Sequence, residues 1–209
     1  MSTLYLVRHG RTRLNEQRAF RGAMDVPLDD VGESEGRALG EALAPVALGE
    51  ILTSPLARAR RTAQFIAQRT GTTIRVSKAL RDIDYGEWTG RSEDEVRWEF
   101  GALYSEWMRT PEKVRFPGGE SLGDVRRRVE APMREIADSG GTIAVVSHRV
   151  VLKVMICVGL GLGDDYFRRF HMDTASYSQL DFDGVWRLTV LNESAHLLAI
   201  PGHLTAVDF

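Results

Sequence analysis

Cysteine is almost missing from this chain. Cys157 is the single one among 209 residues, which rules out a disulfide framework within the chain. It sits in the apolar run VMICVGL, where a buried, inert thiol is expected. No apolar run approaches the roughly 20 residues a membrane-spanning helix needs. The start, MSTLYLVRHG, has neither a basic leader region nor a small-residue cleavage site. A charge surplus is missing too: 27 basic residues face 29 acidic ones, and the net −2 gives no general reason to expect nucleic acid or a membrane as partner. Those absences leave a cytoplasmic globular protein as the expectation. Lysine occurs only at Lys78, Lys113 and Lys153, so 24 of the 27 basic residues are arginine. Genome composition alone accounts for such a bias, although arginine is also the side chain whose fork fits carboxylate and phosphate.

No repeat, low-complexity stretch or interdomain linker interrupts the sequence, and one domain over 1–209 is expected. Short strand-like runs alternate with longer helix-like ones, the pattern of a parallel sheet covered by helices on both faces. The strand candidates are Thr3 to Val7, Glu50 to Ser54, Thr73 to Ser77 and Thr142 to Ser147. Gly32 to Leu43 has helical spacing, and SPLARARRTAQFIAQRTG runs from a Ser-Pro start to a Gly71 stop. Residues from about 91 to 120, including SEDEVRWEFGALYSEWMRTP and the turn-rich FPGGES, form an excursion that reads as a helical lid, followed by a helix over Leu122 to Ile136. YSQLDF, the turn Asp183-Gly184 and VWRLTVLNE predict a hairpin closing an antiparallel edge.

Two stretches match each other in design. LYLVRHGRT is an apolar strand that ends in Arg8, His9 and Gly10, and GTIAVVSHRV is another that turns polar at Ser147 and His148. Ligands of open α/β sheets bind beyond the carboxyl ends of the strands, so Arg8, His9 and His148 belong on one rim. A lone histidine is more often a satisfied structural residue; two at matched strand ends point to a site. Arg58 falls in the first turn of the helix after the Glu50 to Ser54 strand, where free N–H groups and the helix dipole favour an anion. Two arginines, two imidazoles and a helix start make an oxyanion receptor suited to a phosphoryl group without a metal. Arg60, Arg61 and Arg126 to Arg128 read as solvated helix faces.

LVRHGRTRLN, RGAMDVPLDDVGESEGRALG, SPLARARRTA, LRDIDYGEWTGRSEDEV, FPGGES and VVSHRVVLKV, spread over nearly the whole chain, together resemble the histidine phosphatases, or phosphoglycerate-mutase-like superfamily. The resemblance implies a three-layer α/β/α sandwich with a mostly parallel sheet and a phosphohistidine mechanism. In it His9 is the nucleophile, Arg8, Arg58 and His148 bind the phosphoryl oxygens, and Asn15 and the Gly22 backbone contribute to the same pocket. It also implies a small phosphorylated metabolite as partner, no metal and no cofactor, and admits a homodimer through the sheet edge.

A histidine nucleophile must be neutral, and surrounding cations keep it so. The leaving alkoxide needs a proton and water later needs a base, so one carboxyl group should serve in both steps. LRDIDYGEW offers Asp82, Asp84 and Glu87; Asp82 is the expected one, although the family usually has glutamate there. Arg149 stands where relatives often have glycine, or the catalytic aspartate of the acid-phosphatase branch, and is expected either to reach the substrate or to face solvent. Tyr85 stands where the phosphoserine phosphatases typically have histidine. The chain therefore reads as a short phosphatase akin to phosphoserine, α-ribazole and broad-specificity phosphatases. Phosphoserine is the first substrate to try; a phosphoglycerate mutase and a weakly catalytic phospho-ligand-binding regulatory module are the alternatives. The leaving group is expected to meet Glu99 to Glu120 and the tail after Asn192.

Some motifs carry nothing. GESEG follows the charged PLDDV rather than an apolar strand, so it reads as a helix start instead of a nucleophile elbow. GLGLGDD lacks dinucleotide-loop spacing and reads as a helix stop. His196 and His203 have no second ligand pair nearby, and His171 reads as surface.

Overall fold

The apolar, alternating sequence STLYLVR forms the first strand, β1 (Ser2–Arg8), with Leu4 and Leu6 pointing to one side of the sheet and Tyr5 and Val7 to the other. The computed structural model describes residues 1–17 and 19–203; residue 18 and residues 204–209, the last part of the tail expected to meet the leaving group, lie outside the described residues. After β1 come α1 (Arg13–Glu16), α2 (Asp30–Leu43), β2 (Glu50–Thr53), α3 (Ala57–Thr70) and β3 (Ile74–Val76). The chain continues through α4 (Glu93–Glu99), α5 (Gly101–Arg109), α6 (Leu122–Ser139), β4 (Thr142–Ser147), α7 (Arg149–Gly159), β5 (Tyr177–Phe182) and β6 (Trp186–Glu193).

The strands make one six-stranded sheet in the order β3-β2-β4-β1-β5-β6. β1, β4, β2 and β3 pair in parallel, while β5 lies antiparallel to both β1 and β6. Two cores flank the sheet. Val7, Ala144 and Val146 face Leu39, Leu43, Ala63 and Ile66 of α2 and α3. On the other face Leu4, Leu6, Val145 and Leu180 meet α6 and α7 through Val125, Val129, Met133, Val151 and Met155. This is the expected three-layer α/β/α sandwich with its antiparallel edge.

Local chemistry fixes the helix ends. Asp29 accepts from the Gly32 N–H at 2.8 Å and starts α2 two residues before the expected Gly32, so GESEG lies inside a helix. Gly71 at φ 71° stops α3, a left-handed turn that costs glycine little. A capping box between Ser121 and Asp124 opens α6.

The strand expected over Thr73 to Ser77 shrinks to Ile74–Val76, all three exposed, because it pairs only with β2 at the edge of the sheet. The excursion over 91–120 is helical as expected, but it is anchored in the main core. Val96, Tyr104, Trp107 and Phe116 are buried around Trp88. Three of the arginines read as solvated are not. Arg126 pairs with Asp164 at 2.7 Å. Arg128, with a side chain only 16% exposed, bonds Glu120 and reaches the Ala79 and Asp82 carbonyls. Each sits where α6 packs beside a polar loop end. Arg61 is part-buried as well, pairing with Glu33 above the Phe65 ring. Cys157 is buried, and burial pushes its thiol up to about 11. Among the described residues no helix is long and apolar enough to cross a membrane.

Candidate active site

Parallel pairing of β1 with β4 sets Arg8 opposite Ser147, and the His9 N–H bonds the Ser147 carbonyl at 3.0 Å. The next residue of each strand end is a histidine, so sheet register alone brings the two imidazoles together, with ring centroids 5.1 Å apart. Both are buried, 1% exposed each. His9 Nδ1 lies 2.7 Å from the Gly10 carbonyl, which can only accept, so Nδ1 carries the proton and Nε2 keeps its lone pair. Arg58 Nε donates to that Nε2 at 3.3 Å.

Burial holds His9 well below the ordinary imidazole value, and Arg58, Arg8 and Arg21 push in the same direction. His148 is held down by burial first, then by Arg58, His9 and Arg21. Its Nε2 meets Ser54 Oγ at 2.7 Å, while its buried Nδ1 has no hydrogen-bond partner and sits 3.6 Å from Asp82 Oδ2.

Arg58 projects from the first turn of α3 and is fully buried. Its guanidinium donates to the Met24 carbonyl at 2.6 Å, the Gly22 carbonyl at 2.9 Å and Asp82 Oδ2 at 3.1 Å. The start of α3 is not an open anion site, because Asp25 accepts from the Ala57 N–H at 2.6 Å. Gly22 has φ 47°, and a Cβ there would stand 2.8 Å from the Ile83 carbonyl, so glycine is required for the loop to bring its carbonyl to Arg58. Asn15 Oδ1 accepts from both the Thr12 N–H and the Thr12 hydroxyl at 2.9 Å, and Asn15 thus caps α1. Arg8 is buried and donates to the Met172 carbonyl.

These groups open onto a narrow cleft lined by His9, Phe20, Arg21, Asp82, Tyr85 and Arg149, with Ala19 and Val150. Of the three acidic candidates only Asp82 lines it. Asp84 turns away to accept from the Gly86 N–H, and Glu87 is exposed. None of the lining residues comes from 91–120. Arg149, left between substrate and solvent by the sequence, is on the cleft wall and donates to the Tyr85 hydroxyl. Sequence reasoning missed Arg21 and Ser54. Ser54 carried a signal, since it ends β2 on the same rim; Arg21 lies in an irregular loop and carried none. Elsewhere His171 is part-exposed beside Asp173, His196 bonds the Ala175 carbonyl and His203 bonds Glu35. Among the described residues no group of three or more His, Cys, Asp or Glu is arranged to hold a metal.

The buried imidazoles make stability pH-dependent with a definite sign. In the unfolded chain both titrate near 6.5, whereas in the fold both stay neutral well below that. The unfolded state therefore binds more protons below about pH 6.5, and stability is lost as pH falls from there, by up to ~1.4 kcal/mol per pH unit for each group. The urea midpoint is expected to drop between pH 7 and 5, and less steeply in His148→Gln; a flat wild-type profile would contradict the buried neutral pair.

A profile of the "Histidine phosphatase superfamily (branch 1)" matches residues 4–194. Phosphoserine phosphatase 1 of Hydrogenobacter thermophilus is 32% identical over 200 residues, covering 94% of this chain and 95% of the relative. The probable phosphoglycerate mutase GpmB of Salmonella choleraesuis is 32% identical over 184 residues, covering 87% and 86%. The structure of Bacillus stearothermophilus YhfR superposes with a TM-score of 0.89 at 30% identity, covering 94% of this chain and all of that one. With its paired histidines at the ends of β1 and β4, this chain belongs to the histidine phosphatase superfamily.

Proposed function

We propose that this protein hydrolyses small phosphomonoesters through a phosphohistidine on His9, without a metal. One observation carries the reading: a neutral imidazole with an unprotonated Nε2, whose lone pair meets only a long hydrogen bond from Arg58, stands among the guanidinium groups of Arg8, Arg21 and Arg58. Arg8, Arg58 and His148 hold the nonbridging phosphoryl oxygens, with Asn15 and the Gly22 loop supporting the same pocket. His148 Nδ1, buried without an acceptor, is one donor that a phosphoryl oxygen would satisfy.

In the first step the Nε2 lone pair forms an N–P bond as the P–O bond to the leaving group breaks. The leaving oxygen keeps that electron pair and takes a proton from the Asp82 carboxyl group. In the second step the Asp82 carboxylate takes a proton from water while the water oxygen bonds phosphorus. The N–P bond breaks, its electrons return to His9, and inorganic phosphate is released. Charge that builds on the phosphoryl oxygens is met by fixed guanidinium donors, which need no reorganisation.

Phosphoserine is the first substrate to try, given the phosphoserine phosphatase relative. The mutase relative favours a second reading, transfer to a substrate hydroxyl instead of water. Steady-state phosphate release from about a dozen phosphomonoesters in EDTA tests the proposal. Turnover of at least one metabolite is expected. Silence on all of them, together with conversion of 3-phosphoglycerate to its 2-isomer in the presence of 2,3-bisphosphoglycerate, would establish the mutase instead.

A further inference from the structure

The cleft holds more positive charge than a phosphate uses. Four guanidinium groups, those of Arg8, Arg21, Arg58 and Arg149, act on it or line it, against the single carboxylate of Asp82 among its lining residues. Both imidazoles are neutral. Arg8 and Arg58 belong to the phosphoryl pocket and answer its dianion, which leaves Arg21 and Arg149 as further cations on the cleft wall, where Asp82, the acid of the first step, is the one acidic side chain among the lining residues. We propose that Arg149 and Arg21 form a second anion site beside the phosphoryl pocket, so that the preferred substrate is a phosphomonoester whose leaving group carries its own carboxylate or phosphate.

Rigid elements hold both arginines. Arg149 is the first residue of α7, directly after His148, so its side chain starts beside the phosphoryl pocket and its helix end adds a favourable dipole. Tyr85 accepts from it, and burial pushes that phenol up to about 12, so Tyr85 orients the guanidinium without neutralising it. Tyr85 is itself held edge-on by Phe20 and Phe116, with ring centroids at 5.1 and 4.8 Å. Arg21 stands on the same wall, with its Nε buried and lacking a hydrogen-bond partner. Burial and Arg8 push Arg21 down to about 9, with Arg58 and Arg149 pressing the same way and Asp82 only partly opposing them. A cation among like charges, with a donor left unsatisfied, is relieved by an anion and by little else. Bonding Tyr85 alone would not require a second arginine on that wall.

The proposal rests on the phosphomonoesterase reading, and two parallel measurements separate their fates. The first compares kcat/KM for 3-phosphoglycerate, whose leaving group has a carboxylate, and fructose 1,6-bisphosphate, which has a second phosphate, with glycerol 3-phosphate, whose leaving group is uncharged. A charge-assisted contact predicts a preference for one of the charged substrates of roughly 10- to 100-fold. That ratio is expected to fall at least about fivefold in Arg149→Met and in Arg21→Gln, chiefly through KM, and to recover in part in Arg149→Lys. Whichever charged substrate loses more identifies the group that the site reads.

The second measurement is calorimetric binding of the same three compounds in the His9→Ala background, where the proposed nucleophile is gone. Selective binding lost on Arg149→Met, in an enzyme that turns over none of them, would uphold the second anion site and sink the hydrolytic reading. Turnover with ratios unmoved in both arginine variants would do the reverse. Equal binding of all three compounds, or a wild-type preference for glycerol 3-phosphate, overturns the second site.

Discussion

Replacing His9 by alanine is expected to lower phosphate release by at least ~1,000-fold while leaving phosphate binding largely in place. A nucleophile is the one group whose removal deletes the first chemical step, and single replacements of this kind cost three or more orders of magnitude in other covalent mechanisms. Arg8, Arg58 and His148 are anchored by the Met172, Met24 and Gly22 carbonyls and by Ser54. None of those anchors passes through the His9 ring, so the anion pocket should outlive it. The wild type, quenched in acid and alkali during turnover, should yield protein-bound phosphate that is labile in acid and stable in base, as expected of a phosphoramidate. His9→Ala should yield none. A variant that kept more than about a tenth of the activity would need another nucleophile; no cysteine, serine or threonine is among the residues lining the cleft, and the Tyr85 phenol there is pushed up to about 12 and so stays protonated.

Neutrality and binding come from the same charges. A buried imidazole close to three guanidinium groups gains nothing by protonation, so Nε2 stays nucleophilic at pH values where a solvent-exposed histidine would be largely protonated. Two of those guanidinium groups, Arg8 and Arg58, are also the donors that stabilise the transferring phosphoryl group. Removing Arg58 would therefore act twice, weakening anion binding and letting His9 take a proton.

The centre of the site was legible in the sequence because it depends on strand ends. Apolar runs that stop at Arg8-His9 and Ser147-His148 fix both chain position and side of the sheet, and parallel register does the rest. Arg58 was legible for a similar reason, one turn into a helix after β2, although the accompanying expectation of an open helix end was wrong because Asp25 folds back onto it. Arg21, the aromatic support of Tyr85 and the burial of Arg128 were not legible. They depend on how the 19–29 loop and the 81–92 segment pack together, through contacts such as the Phe20 N–H to the Arg91 carbonyl and Gly22 against Ile83. Irregular backbone has no period from which to read such contacts. β3 was over-read, since its β-branched residues suit a strand but only one neighbour pairs with it.

Asp82 is the second place where a large effect is expected. If it supplies the proton for the leaving oxygen, Asp82→Asn should lose ~100- to 10,000-fold in kcat on an alkyl phosphate, whose alkoxide cannot leave unprotonated. On p-nitrophenyl phosphate, whose phenolate leaves without help, the loss should be small. The asparagine keeps the volume, and its single amide oxygen can keep one of the two bonds that Asp82 accepts on separate oxygens, from the Ile83 N–H at 3.0 Å and from Arg58 at 3.1 Å. It removes the proton and the charge but not the shape. Alanine is the poorer probe, because it would leave the fully buried Arg58 with no acceptor at all at this position, whereas the asparagine oxygen can still take that bond; the larger loss of stability would blur the kinetics. Asp82→Glu should keep activity on alkyl phosphates within about tenfold, since it restores the carboxyl group one methylene further along. Equal losses of Asp82→Asn on both leaving groups would mean that this carboxylate only positions Arg58, and the proton would have to come from another group on the cleft.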